Sequence, residues 1–151
     1  MTEELDPVRR SSNSRVTSRL DRERADRVAA AAQEPQSIGE RIRSLDTTWD
    51  IERTLQANAA TLSLVGLAFV AARPSRRRLA VAAIVPAFLL QHALQGWCPP
   101  IEVFRLLGQR SRNEIDAERT ALKAVRGDFD GLPSAPPSQA AEQALHAAGR
   151  R

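Results

Sequence analysis

The chain has 151 residues, a formal net charge of +4 and 26% charged residues, which allows one domain with tails. A single cysteine, Cys98, excludes an intramolecular disulfide and any multi-cysteine metal site. The charge is spread thinly: residues 1–36 are neutral, 37–108 carry a net +3 and 109–151 a net +1, and outside one short stretch acidic residues interleave with the arginines, so a general nucleic-acid surface is not expected.

Residues 1–36 form a charged arm. Asp6-Pro7 suits a helix start, with Asp as cap and Pro at the first position, although the Ser-rich stretch Ser11–Ser14 weakens it. From Arg15 to Ala32 a helix is predicted, with Val16, Leu20 and Val28 on one narrow stripe, Ala29–Ala32 favouring helix, and mixed charge elsewhere. Such a helix is expected to be solvated and to end at Glu34-Pro35. The first 50 residues contain no apolar run, so no secretory signal is expected and the N-terminus is placed in the cytoplasm.

Ser37-Ile38-Gly39-Glu40 has the spacing of a capping box. Ile38, Ile42, Leu45 and Trp49 follow on one stripe. A short amphipathic helix just before an apolar segment suits a membrane interface, where Trp is favoured; a soluble helix packing its stripe on a core is the alternative. Leu55–Ala72 and Leu79–Leu94 carry no charged residue. A straight span needs about 20 residues, with a lower limit near 17, so both are short spans. Leu62–Ala72 has Ser63 as its only polar side chain and Leu79–Leu90 has none. Helices apolar on all sides are buried in a large core or in lipid, and the rest of this chain is too small and polar to supply that core. The loop Arg73-Pro74-Ser75-Arg76-Arg77-Arg78 cannot enter hydrocarbon and must reach head groups or water. Ala59/Ser63, Ala68/Ala72 and Ala83/Ala87 would let helix backbones approach, and Pro86 is expected to kink the second segment.

Gly96, Pro99 and Pro100 stop the second span. A short helix Ile101–Leu107 is predicted, closed by Gly108, with Ile101, Val103, Phe104 and Leu107 along the membrane surface. Ser111-Arg112-Asn113-Glu114 is a second capping-box match and opens a charged helix to about Arg126, ended by Gly127, with Ile115, Leu122 and Val125 as its stripe. Residues 128–151 are expected to be a disordered tail with at most fleeting helix near its end.

No phosphate-binding glycine loop, His-Glu-x-x-His or Cys-x-x-Cys pattern is present. With no catalytic constellation, the chain is not expected to be an enzyme, and no cofactor or metal is expected. Asn58, Gln91 and His92 are polar positions inside the spans and are functional candidates on that ground. Cys98 precedes a helix start, where backbone N–H groups stabilise a thiolate, which makes it a candidate reactive thiol. The simpler reading is a small, soft residue filling a tight turn.

The segment His92-Ala93-Leu94-Gln95-Gly96-Trp97-Cys98-Pro99-Pro100, followed by Phe104 to Gly108, resembles the YgaP-like transmembrane domain family of bacteria. That family is similar in layout: an interfacial lead-in, two short spans, a Gly-x-Cys-Pro signature and a short helix ending near Leu-Gly. The resemblance covers about residues 37–108, and Gly96, Cys98 and Pro99 match the signature residue by residue, with Trp97 at its variable position. Some members fuse the hairpin to a rhodanese sulfurtransferase domain, and dimers are described for such fusions; this chain has no room for that domain, so its catalysis is not carried over. The resemblance implies a bacterial inner (cytoplasmic) membrane protein. Arginines in the loop and on both flanks pull the positive-inside count both ways, but a charged arm without a signal is hard to export, so both termini are expected to be cytoplasmic, as in the family layout, with Cys98 near the reducing side.

The expectation is therefore an all-α chain: a charged helical arm (1–36), a membrane hairpin domain (37–108, spans about 55–72 and 79–94), a charged helix (109–127) and a disordered tail (128–151). Its expected role is a self-associating, non-enzymatic membrane module that scaffolds, or supports the sulfur or redox chemistry of, a cytoplasmic protein partner reached through its charged arms. The alternatives are oligomeric transport of a small solute or anion past Asn58, Gln91 and His92, and a soluble helical adaptor.

Overall fold

A computed structural model describes residues 6–95, 99–130, 132 and 136–150. Among these, every regular element is helical: α1 (Pro7–Ser11), α2 (Ser14–Gln33), α3 (Ile38–Thr47, led by a 3-10 turn Pro35–Ser37), α4 (Ile51–Ala72), α5 (Arg76–Gln95), α6 (Pro99–Leu106), α7 (Arg112–Arg126) and α8 (Pro137–Gly149).

The helix ends follow local chemistry. Asp6 caps α1, its Oδ1 accepting from the N–H groups of Val8 (3.0 Å) and Arg9 (3.2 Å). Asp50 caps α4, its Oδ1 accepting from Arg53 N (2.7 Å). Gly108 and Gly127 take φ of +87° and +85°. At each, the next residue's N–H reaches back to close the turn, Gln109 to Phe104 O (2.9 Å) and Asp128 to Lys123 O (3.0 Å), the Schellman arrangement that favours glycine. The capping box expected at Ser37 does not form. Ser37 is already in helical conformation with no side-chain cap, because the 3-10 turn brings the chain in, and its hydroxyl donates to Glu34 O (2.9 Å).

The described residues fall into two units, each built from separated stretches: one from the chain up to Ser18 with Trp49–Arg112, the other from Arg19–Thr48 with the residues from Asn113 onward.

The second unit has a core of Ala31, Ile38, Ile42, Leu45, Ile115 and Leu122, with Val28 packed against it. This corrects two expectations. The α3 stripe does not lie free for a membrane surface: Ile38, Ile42 and Leu45 are buried by the chain itself, while Trp49 falls outside α3 and is half exposed. The charged arm is likewise not simply solvated, since Ala31 at the end of α2 is fully buried. Arg27 grips Glu118 with two bonds, Nε to Oε1 (2.9 Å) and Nη2 to Oε2 (2.8 Å), which raises the Arg27 pKa further. The tail, expected to be disordered with at most fleeting helix near its end, carries α8. Its Ala147 is buried, and Lys123 Nζ donates to the carbonyls of Ala147 (3.4 Å) and Ala148, which satisfies acceptors that a helix end leaves open. Burial pushes the Lys123 pKa down.

The first unit has its core at one end of α4, where Val8, Ile51, Leu55 and Ile101 pack with Leu89 and Phe104. Polar links surround this base. Ser111 Oγ donates to Asp6 Oδ2 (2.6 Å), Ile51 N donates to Arg110 O (2.9 Å), and Arg112 N donates to Glu52 Oε2 (3.1 Å) while its guanidinium reaches Asp50 Oδ2 (3.4 Å). Ile101 of α6 is thus a core residue, whereas Val103, Leu106 and Leu107 stay exposed.

Candidate functional site: the apolar helix pair

α4 has 22 residues and α5 has 20, so each is roughly 30 Å long at ~1.5 Å per residue, about the thickness of bilayer hydrocarbon. Both are long and apolar enough to cross a membrane. The connection is shorter than the six residues expected. Arg76, Arg77 and Arg78 form the first turn of α5, leaving Arg73-Pro74-Ser75 between the helices, because Ser75 Oγ accepts from Arg78 N (3.2 Å) and starts the helix there.

α4 and α5 pack on each other along a narrow seam. On α4 the better-covered positions are Leu55, Ala59, Ser63, Gly66 and Val70; on α5 they are Ala82, Val85, Leu89 and His92. A Cβ placed on Gly66 would come within 3.2 Å of Ala82 Cβ, so this is a point of close backbone approach of the kind small residues permit. Of the small-residue pairs read from the sequence, Ala59/Ser63 lies on the seam, while Ala68/Ala72 and Ala83/Ala87 face outward. The signal missed was Gly66 itself. α5 continues through Pro86, which has no N–H to return to the Ala82 carbonyl.

Away from the seam the pair is apolar and uncovered. No residue of α5 is buried, and Leu64, Phe69 and Leu94 are 68%, 68% and 77% exposed. Leu62, Leu67, Leu79, Val81, Ile84 and Leu90 are exposed with them. Burying one such side chain is worth about 1.5–3 kcal/mol. Left in water, this set forfeits about as much as the 5–15 kcal/mol net stability of an ordinary domain. At the base, the Arg53 guanidinium sits 4.5 Å from the centroid of the half-exposed Trp49 ring, a cation–π pair of the residue types favoured where hydrocarbon meets water.

The polar span residues are separated in role. Asn58 Nδ2 donates to Thr54 O one turn back (2.8 Å), so one of its two N–H groups is used on its own helix, and Asn58 lines an apolar cavity of about 260 Å³ with Leu55, Phe88, Leu89 and Phe104. Gln91 and His92 do not line that cavity. His92 stands on the seam, with Nδ1 buried and without a partner among the described residues. Of the signature residues, Pro99 takes the first position of α6; Gly96, Trp97 and Cys98 lie outside the described residues. No group of three or more metal-ligating side chains occurs among the described residues.

Sequence reasoning missed the buried charges. Arg105 is fully buried and donates from Nη2 to Thr17 Oγ1 (3.4 Å). It lies one turn beyond Ile101, on the same face of α6, and that spacing was the available signal. Comparison with family models, with curated proteins and with solved structures returned no match.

Proposed function

We propose that the chain is a small integral membrane protein whose α4–α5 hairpin spans the bilayer, and that it acts as a non-enzymatic anchor and scaffold. The observation that carries this reading is the uncovered apolar surface around α4 and α5, with arginines at one end and a charged, hydrogen-bonded base at the other. A core helix of a soluble protein would be mostly buried; these are not. Lipid supplies the missing cover without requiring any further chain.

On this reading the base sits at the cytoplasmic face of a bacterial inner membrane, with both termini on that side. The charged helices α2 and α7 are offered to a cytoplasmic protein partner, and the outward faces of the hairpin leave room for a second copy. The YgaP-like resemblance points the same way and adds a role for Cys98: a thiol at the membrane surface that serves a partner's sulfur or redox chemistry.

Washing membranes with alkaline carbonate tests the anchor. Retention in the pellet until detergent is added supports it. Release into the supernatant overturns it and leaves a soluble adaptor whose hairpin docks on a protein. For an integral protein, labelling Cys98 with an impermeant maleimide then reports the side: protection in intact cells is expected, and labelling from outside overturns the orientation.

A further inference from the structure

A groove of about 460 Å³ opens between α4 and α5 at their arginine-bearing end. Val65 and Phe69 of α4 and Val81 and Val85 of α5 line it, and Arg77 and Arg78 stand at its mouth. Gly66 and Ala82 bring the backbones together beside it. We propose that this groove holds one anionic phospholipid, an acyl chain lying on the four apolar side chains and the phosphate held by Arg77 and Arg78. The proposal rests on the membrane reading above and adds a ligand class and a place to it.

Charge makes the argument specific. No Asp or Glu occurs between Glu52 and Glu102, so beyond the first turn of α4 the hairpin holds four exposed arginines, Arg73, Arg76, Arg77 and Arg78, and no carboxylate. Three of them occupy the first turn of α5, where the helix dipole adds a further positive potential. Arg78 Nη1 donates to Arg73 O (2.6 Å), which holds its guanidinium at the tip. No neighbouring carboxylate in this stretch of the sequence offsets the charge, which suits an anion from outside the chain. Guanidinium groups bind phosphate oxygens through paired, charge-assisted bonds. A free phosphate would answer the charge but leave the groove empty, and a zwitterionic lipid carries its own ammonium to offset its phosphate. The cavity at the other end of the pair, lined by Leu55, Asn58 and Phe104, has no cationic residue, so it offers a chain cover but no anchor for a head group.

The test uses the full chain in mild detergent, read by native mass spectrometry. Long-chain phosphatidylglycerol, phosphatidylcholine, phosphatidylglycerol with six-carbon chains, and inorganic phosphate are titrated separately. One phosphatidylglycerol per chain is expected, bound about tenfold or more tighter than phosphatidylcholine, the scale set by one or two charge-assisted hydrogen bonds. R77Q/R78Q should remove that preference, while R22Q/R43Q, with the same change in charge elsewhere, should keep it. V81W, which fills the groove and leaves the arginines, should lower long-chain binding to the level of the six-carbon lipid. Equal binding of the two head groups, or a preference that survives R77Q/R78Q, overturns the site. Inorganic phosphate competing as well as the long-chain lipid overturns the groove's part in it. Carbonate extraction of the same variants separates the two claims: protein that stays in the pellet but shows no head-group preference refutes this inference alone, whereas protein that washes off refutes the membrane reading as well.

Discussion

Helices α3 and α4 are neighbours in sequence and both begin with an apolar stripe, yet they end in opposite situations. On α3, Ile38, Ile42 and Leu45 are covered by side chains of α2 and α7, and Glu40, Arg43 and Ser44 remain outside. On α4, Leu55 and Ala59 are covered, but beyond them apolar side chains point in every direction. A stripe one face wide can be satisfied by a small chain. A helix apolar all round asks for more cover than 151 residues with this many charges can provide. The width of the apolar surface decides which helix the fold covers and which it leaves uncovered.

The strongest way to break this contrast is to charge the uncovered face. Leu64→Arg should sharply lower the carbonate-resistant fraction, since a charge near the middle of a span costs about 3 kcal/mol on insertion. Unchanged retention would mean that Leu64 does not meet lipid. Truncation should sort the two helices by stability. Ile42→Ala is expected to destabilise the protein by about 2–5 kcal/mol, as for other buried large-to-small changes, while Leu64→Ala in detergent should stay within about 0.5 kcal/mol. Similar losses on chemical unfolding would show that the α4 face is covered after all.

Arg27→Ala should cost about 2 kcal/mol, because it strips two charge-assisted bonds from a carboxylate whose side chain is only 5% exposed. Arg27 itself is 37% exposed, so solvent screening keeps the figure below that of a fully buried pair. A pH series gives a finer measure. The Arg126 guanidinium, bonded to Asp128 at 2.9 and 2.6 Å, holds the Asp128 carboxyl below its usual range. A depressed carboxylate pKa contributes stability that is present above the unfolded value and is lost as pH falls through the folded one. Asp128→Asn should therefore lower the unfolding midpoint at neutral pH, and the gap from the parent should close below the ordinary carboxylate range. A gap that persists at acid pH would assign the effect to packing. The smallest effect is expected at Lys123→Ala, which removes the donor to the α8 carbonyls and should speed proteolysis of the last residues while sparing the rest; no change would mean that Ala147 alone holds α8.

Much of this was legible in the residues. The helix ends at Gly108 and Gly127 follow from needing a left-handed backbone, and the start at Asp6-Pro7 from a carboxylate beside a proline. The two apolar segments announce themselves by the absence of polar faces. The fate of α3 was not legible, since the same stripe of Ile38, Ile42 and Leu45 serves a core or an interface equally well. Nor was α8, whose alanines carry little hydrophobic signal and are held by a lysine from another helix. The Gly66–Ala82 approach was hidden because alanine is common throughout, and the small-residue pattern alone did not say which pairs face the seam.

Local chemistry thus determined the helical class, most helix ends and the two membrane-length segments, because caps, glycines and apolar runs act within a few residues of themselves. Only tertiary structure decided which stripes are covered, that Arg105 and Glu118 are buried, and that Arg77 and Arg78 stand at the mouth of a groove. Those outcomes depend on side chains brought together from distant parts of the chain, and no periodicity within one helix records its neighbour.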